Sequence, residues 1–272
     1  MIASISILAG RNKDGSKEPF SRIDIHKGEI VGIVGPTGSG KSALVEDIEQ
    51  LAQSDTTTHR QILINNEIPD SELRFNPKKK LIAQLSQNMN FIADMSVEDF
   101  LKLHAKCRGK EANLVDKVIY HANQLTGEPI RKNMNLTVLS GGQSRSLMVA
   151  DVAFVSNSPI VLIDEIENAG IKKHEAMELL SGSGKIVLVV THDPLLALLT
   201  RRRIVMENGG IKKVIGTTEN ETNLCEQLYQ IDYELFRIRE MVRAGVEVNA
   251  DFSFQKNYSE NFGLMFENSS QL

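Results

Sequence analysis

The sequence has few of the features that mark secreted, membrane-spanning and nucleic-acid-binding chains. Its two cysteines, Cys107 and Cys225, lie far apart, so a reduced, intracellular protein is the simplest interpretation. The N-terminus lacks the basic segment of a secretory signal. The longest apolar runs are far shorter than the ~18 residues that span a bilayer, so any work at a membrane would need another chain. The formal net charge of -4 argues against a nucleic-acid partner.

The residues that are present predict an α/β fold. The chain has 272 residues, 41% of them hydrophobic, which is enough for one large domain with an extension. Continuous apolar runs, typical of parallel strands covered on both faces, occur at Ile160–Ile163 and Ile186–Val190, and buried strands are also predicted at Ile30–Val34 and Leu81–Leu85. Helical patterns alternate with these runs. A helix-only segment from 96 to about 138 predicts a separate helical lobe, and alternation at Ile5 and Ile7 predicts an edge strand.

A glycine-rich segment between one predicted strand and one predicted helix carries the first chemical signal. It is Gly35-Pro36-Thr37-Gly38-Ser39-Gly40-Lys41-Ser42, which fits the phosphate-binding pattern G-x-x-x-x-G-K-[ST]. Glycines let the backbone N–H groups turn toward an anion, and the following helix adds its N-terminal dipole. Lys41 is predicted to reach the β- and γ-phosphates of a nucleotide, and the Ser42 hydroxyl to bind Mg²⁺.

Two consecutive acids, Asp164 and Glu165, follow the apolar run at Ile160–Ile163. An aspartate at this place could simply cap a helix. Downstream of a phosphate-binding loop, the pair instead predicts an Mg²⁺-orienting aspartate and a glutamate that polarises the attacking water.

The segment Leu139-Ser140-Gly141-Gly142-Gln143 points to a family. The chain resembles ATP-binding-cassette (ABC) ATPases, whose signature is LSGGQ, and further family motifs follow the family's order. Gln87 matches the Q-loop, Asp164 and Glu165 match the Walker B aspartate and catalytic glutamate, and His192 matches the switch histidine. Asn208-Gly209-Gly210-Ile211 matches the closing hairpin. The resemblance covers about residues 1–216.

The resemblance implies a phosphate-loop NTPase fold: a mostly parallel core sheet, an antiparallel β edge and a helical lobe at about 88–139. It also implies ATP and Mg²⁺ as ligands, with Ser42, Gln87 and Asp164 at the metal. In the implied mechanism, the signature segment of a second cassette closes over the γ-phosphate of the first. The segment comprises Ser140, Gly141, Gly142 and Gln143. Glu165 is then the general base, assisted by His192 and Gln87.

The chain departs from the family pattern at several positions. Ile166 stands where proline is usual, and Asn168-Ala169-Gly170-Ile171 lacks the usual D-loop acid. Residues 9–19 contain no aromatic side chain to stack on adenine; Arg11 could stack through its guanidinium plane, or could simply be solvated.

The extension at 217–272 combines a predicted helix with an aromatic tail. Leu224, Leu228, Ile231, Leu235, Ile238 and Val242 form a heptad seam. Packing on the chain's own domain is the favoured interpretation, and a coiled-coil or partner contact is the alternative. The tail carries Phe252, Phe254, Tyr258, Phe262 and Phe266.

We therefore expect an ATP hydrolase that works as a homodimer, or as a pseudo-dimer with a related cassette. Its role stays open between two hypotheses. One is the nucleotide-binding subunit of a membrane transporter, cytoplasmic or peripheral on the inner face of the membrane, with a separate membrane subunit. The other is a soluble ATPase that does mechanical work on a protein, cofactor-assembly or nucleic-acid partner.

Overall fold

The computed structural model describes residues 2–76, 79–86, 89–111, 113–164 and 170–248. The chain divides into two compact units, Met1–Thr217 and Thr218–Leu272. Gln87, Glu165, Ile166, Asn168 and Ala169 lie outside the described residues. So does the aromatic tail.

The first unit contains nine described strands and seven described α-helices. The strands are β1 (Ser4–Leu8), β2 (Arg22–His26), β3 (Ile30–Val34), β4 (Gln61–Ile64), β5 (Ile82–Ser86), β6 (Ile160–Asp164), β7 (Ile186–Val190), β8 (Arg202–Glu207) and β9 (Gly210–Gly216). The helices are α1 (Lys41–Glu49), α2 (Ser71–Phe75), α3 (Val97–Cys107), α4 (Leu114–Leu125), α5 (Gly141–Phe154), α6 (Lys173–Gly182) and α7 (Pro194–Leu199).

The larger sheet confirms the predicted mostly parallel core. Within the described residues its strand order is β5-β6-β7-β3-β8-β9. All neighbouring pairs are parallel except β8 and β9, which form the predicted closing hairpin. Side chains such as Val31, Leu162 and Leu188 are fully or almost fully buried, as expected for strands covered on both faces. The carboxyl ends of β5, β6, β7 and β3 consequently meet at one edge of the sheet.

A smaller antiparallel sheet has the order β2-β1-β4. The prediction that β1 is an edge strand was wrong, because β1 pairs with a strand on each side. The alternating residues Ile5 and Ile7 point into the core, where both are fully buried. The serine side is also covered: the Ser6 hydroxyl donates to Asp24 Oδ1 over 2.6 Å and accepts from Arg22 Nη2 over 2.9 Å.

The predicted helical lobe has its own apolar core. The N-cap of helix α3 is Ser96, whose hydroxyl accepts from the backbone N–H of Asp99. Apolar side chains of α3 and α4, including Leu101 and Val118, pack in one cluster with Leu147 of α5. Helix α5 therefore belongs to the packing of the lobe, although it begins beyond residue 139.

The second unit contains helix α8 (Glu219–Arg243). Thr218 and Glu221 form a reciprocal capping box at its start. Four members of the predicted heptad seam are exposed: Leu224 by 46%, Ile231 by 57%, Leu235 by 45% and Val242 by 62%. They share one face of the helix, because steps of seven and four residues return to the same side. In the described part of the chain, no helix is both long and apolar enough to cross a membrane.

Candidate functional site

The phosphate-binding loop lies between the central strand β3 and helix α1. Gly40 caps α1 with φ of 101°, a left-handed conformation that favours glycine. A Cβ added at Gly40 would lie 2.7 Å from the Cα of Gly209 in the closing hairpin. The Gly209 N–H donates to the Ser39 carbonyl over 2.9 Å. The loop therefore keeps its shape partly because the closing hairpin packs against it.

The side chains of this loop fit a phosphate ligand. Residue Lys41 is 8% exposed. Its ammonium group donates to the Gly35 carbonyl over 2.8 Å and to the Pro36 carbonyl over 3.2 Å. The hydroxyl oxygen of Ser39 is buried and has no hydrogen-bond partner among the described residues. Pro36, Thr37 and Gly38 form the exposed tip of the loop. A buried orphan hydroxyl and a lysine at a helix N-terminus suit an anion.

The sheet brings the other predicted site segments to the same edge. Asp164 ends β6 in register with Ser86 of β5 and Val190 of β7. His192 follows β7 and is exposed. Because these strands run parallel beside β3, their carboxyl ends place Asp164 and His192 on the side from which the phosphate loop leaves the sheet. Gln87 and Glu165 follow Ser86 and Asp164 in sequence but lie outside the described residues.

The segment around the predicted switch histidine is held by hydrogen bonds. The Thr191 N–H donates to the Ile33 carbonyl of β3 over 3.3 Å, and the Asp193 N–H donates to the Thr191 hydroxyl over 2.9 Å. Asp193 also caps helix α7 and lies 2.7 Å from the ammonium of Lys173 at the start of α6. The chain just after the D-loop is thus tied to the residue that follows His192.

The signature segment forms the N-terminus of α5. The Ser140 hydroxyl accepts from the Gln143 N–H, and the Gln143 side-chain oxygen accepts from the Ser140 N–H, so the two residues form a capping box. The Gln143 side-chain nitrogen donates to the Pro129 carbonyl over 3.3 Å. Ser140 and Gly141 are exposed, whereas Gln143 is buried. The exposed start of α5 is therefore available to an anion, while the Gln143 side chain serves the helix end itself.

The structure adds site residues that the sequence did not indicate. Lys13 donates from its ammonium to the Gly38 carbonyl in the phosphate loop over 2.7 Å. Arg11, the predicted candidate for stacking, instead donates to the Gly15 carbonyl of its own loop over 3.1 Å. Arg60 lies wholly buried between Glu18 and Asp47. The contacts of Lys13 and Arg60 have no local sequence signal, since each joins residues at least 13 positions apart in the chain.

Comparisons with known proteins agree with this geometry. The sequence model of a family described as "ABC transporter" matches residues 21–168. An uncharacterized ABC transporter ATP-binding protein of Methanocaldococcus jannaschii is 63% identical over 245 residues, which cover 90% of this chain and 94% of that protein. The chain belongs to the ABC transporter family.

Other members of the family are more distant. The glutamine transport ATP-binding protein GlnQ of Geobacillus stearothermophilus is 29% identical over 214 residues, 75% of this chain and 86% of GlnQ. The solved structure of cbiO1 from Clostridium perfringens, part of the ABC transporter complex cbiONQ, has the same fold, with a TM-score of 0.60 at 21% identity. The match covers 89% of this chain and 100% of cbiO1. The chain is accordingly an ATP-binding ATPase with the ABC cassette fold.

Proposed function

We propose that this ABC ATPase is the nucleotide-binding subunit of a membrane transporter and hydrolyses ATP at composite sites between two cassettes. The observation that carries the dimer is that one chain presents two separate helix starts suited to anions. One is the phosphate loop at α1, and the other is Ser140 at α5, whose described hydrogen bonds stay within its own lobe. Two copies related by a twofold axis would pair each phosphate loop with the partner's signature segment.

Each residue then has a physical task. Lys41 and the backbone N–H groups of residues 35–42 hold the β- and γ-phosphates, and Ser39 turns its hydroxyl toward them. Ser140, Gly141 and Gly142 of the second copy donate to the γ-phosphate. Gln143 keeps that helix start in shape through its capping box. ATP bound between the copies favours the closed dimer by mass action.

Hydrolysis is assigned to the carboxyl edge of the sheet. Glu165 takes a proton from the attacking water, and His192 donates to the γ-phosphate. Gln87 links the site to the helical lobe. The Ser42 hydroxyl, the Asp164 carboxylate and Gln87 are oxygen donors of the kind that Mg²⁺ prefers, and the bound ion would neutralise charge on the phosphates. Loss of the γ-phosphate removes the bridge between the copies, which can then separate.

The transport role is supported by the relatives. GlnQ is named as a glutamine transport protein, and cbiO1 is part of a transporter complex. By analogy, this chain would be cytoplasmic, bound to a separate membrane subunit, and would pass the closing of its dimer to that subunit. Ile166 and the D-loop depart from the family pattern. For that reason the experiment has to exclude the alternative, a soluble ATPase that does mechanical work on a partner.

The dimer is tested with the full chain carrying Glu165→Gln. With ATP and Mg²⁺, light scattering should give twice the monomer mass, and ATP turnover should fall at least 100-fold because the general base is lost. The matched control adds Ser140→Arg, which blocks the signature segment and should leave a monomer that still binds ATP. A Glu165→Gln protein that stays monomeric, or that turns over ATP at the native rate, contradicts the proposal.

The transport role is tested by capture of partners on the tagged Glu165→Gln chain from detergent-solubilised cells, with ATP and Mg²⁺. The expected result is a membrane protein with several spanning helices, recovered in stoichiometric amount and lost in the Lys41→Ala control. Recovery of soluble proteins alone would overturn the transporter assignment and favour the mechanical role.

A further inference from the structure

The loop between β1 and β2 packs against the closing hairpin. Its backbone is closed by the Asn12 N–H, which donates to the Ser16 carbonyl over 2.9 Å. The Lys13 N–H donates to the Asn208 carbonyl over 2.9 Å, and the Asn208 side chain returns a hydrogen bond to Asp14 Oδ2 over 3.0 Å. These contacts fix the backbone of Lys13 at the hairpin turn.

The Lys13 side chain then crosses the turn toward the phosphate loop. A Cβ added at Gly209 would lie 2.5 Å from Cγ and 3.3 Å from Cδ of Lys13, so the aliphatic stem runs directly over that glycine. Gly209 in turn packs on Gly40. The stem ends with its ammonium 2.7 Å from the Gly38 carbonyl. The hairpin thus directs a cation from a distant loop onto the exposed tip of the phosphate loop.

This position favours an anionic ligand over a neutral one. Lys13 now contacts a single neutral carbonyl on the exposed loop tip, whereas a phosphate oxygen is itself charged and binds an ammonium group more strongly. The flexible stem lets the ammonium move from the carbonyl to a ligand without a change in the backbone. Arg11 is held by Gly15, and no aromatic side chain occurs at residues 9–19. Lys13 is therefore the cation of this loop that reaches the site.

We propose that Lys13 binds the phosphate chain of the nucleotide and makes affinity depend on phosphates more than on the base. The inference rests on the proposed nucleotide site at the phosphate loop. Lys13 then stabilises ATP, ADP and GTP to the same degree, because each carries the phosphates that lie over the loop. The native chain binds ATP and GTP with similar affinity.

The experiment measures the dissociation constants of ATP, GTP and ADP for the full chain by calorimetry, with Mg²⁺. Lys13→Ala should weaken all three by about tenfold, the effect expected for one hydrogen bond to a charged group. The ratio of ATP to GTP affinity should not change, and Lys13→Arg should keep most of the affinity. Lys17→Ala removes an exposed lysine from the same loop and should bind as the native chain does.

The outcomes separate the inference from the site on which it rests. Native chain that binds no nucleotide overturns the proposed function itself. Native binding with unchanged affinity in Lys13→Ala overturns only the role of Lys13, and so does a loss confined to ATP, which would indicate a contact with adenine. Equal thermal unfolding temperatures of Lys13→Ala and native chain, without nucleotide, show that the affinity loss is not a loss of folding.

Discussion

A fully buried cluster of charged side chains is expected to make a large contribution to the free energy of unfolding of the nucleotide-binding half. The side chains of Arg60 and Glu18 are 0% exposed and that of Asp47 is 2% exposed. Arg60 Nη2 lies 2.7 Å from Glu18 Oε1, and Nη1 lies 2.9 Å from Asp47 Oδ2. Arg60 also donates to the Gly209 carbonyl over 3.1 Å. One guanidinium therefore joins the β1–β2 loop, helix α1 and the closing hairpin.

Replacing Arg60 by methionine tests the cluster. The side chain keeps a similar length but loses its charge, so two carboxylates stay buried without their cation. Removing one partner from a buried ion pair costs about 3–5 kcal/mol. We expect that loss in the free energy of unfolding, which is a large share of the 5–15 kcal/mol typical of a domain.

A neutral triple variant separates charge from packing. It combines Arg60→Met with Glu18→Gln, whose single amide oxygen accepts from the N–H of either Gly10 or Ile211, and with Asp47→Asn, whose oxygen accepts from the Thr58 hydroxyl. Because no charge then remains buried, this variant should recover part of the lost stability. The assay is urea unfolding of the full chain without nucleotide, followed by circular dichroism and tyrosine fluorescence.

The matched control is Arg22→Met. Arg22 pairs with Asp24 over 2.6 Å, but its side chain is 37% exposed, so its removal should cost less than about 1 kcal/mol. If Arg60→Met is as mild as this control, or if the triple variant is no more stable than Arg60→Met, the argument from buried charge is refuted.

Two further predictions concern α6. Lys173→Met removes the 2.7 Å ion pair with Asp193. Because the segment that carries His192 then loosens, kcat for ATP hydrolysis should fall about tenfold, a loss of about 1.4 kcal/mol of transition-state stabilisation. ATP affinity measured by calorimetry should not change, and an equal loss of affinity would contradict a positioning role. Burial lowers the pKa of His174 to about 4. The unfolded chain, with an ordinary pKa near 6.5, binds the proton first, so the free energy of unfolding should fall by about 2 kcal/mol between pH 7 and pH 5. Burial raises the pKa of the neighbouring Glu178 above its ordinary value, so its protonation as the pH falls stabilises the native state and opposes this trend. The measurement stops at pH 5 to limit that contribution. His174→Gln should flatten this pH dependence, and an equal slope in that variant would refute the assignment.

The parts of the site predicted from sequence are those that short-range physics decides. A strand, a glycine-rich turn and a helix start are adjacent in the chain, so Gly35–Ser42 could be placed from its pattern alone. The same holds for Ser96 and Ser140, whose capping partners lie three residues away. Apolar runs that alternate with helices predict parallel strands, and the carboxyl end of the strand before Asp164 then lies at the same edge of the sheet as the loop.

The missed features depend on pairings between distant segments. Alternation at Ile5 and Ile7 shows which face of β1 is buried but not how many strands flank it, so a central strand was mistaken for an edge. Arg60 and Glu18 are separated by 42 residues, and no periodicity signals their contact. Arg11 and Lys13 both carry a positive charge, and only the path of the loop decides which one reaches the phosphate loop.

The phosphate-loop motif predicts the chemistry of the site, but the loop also needs the closing hairpin to hold its shape. Gly209 donates to Ser39, accepts from Arg60, packs on Gly40 and supports the stem of Lys13. A side chain at residue 209 would meet Lys13 at 2.5 Å, so glycine there is required by the same packing that shapes the nucleotide site. The motif is predicted to provide the phosphate contacts, and a turn about 170 residues later packs against the loop that would hold them. Since the buried Arg60 cluster fixes that turn to helix α1, the stability of the fold and the affinity for nucleotide are expected to fall together when Arg60 is replaced.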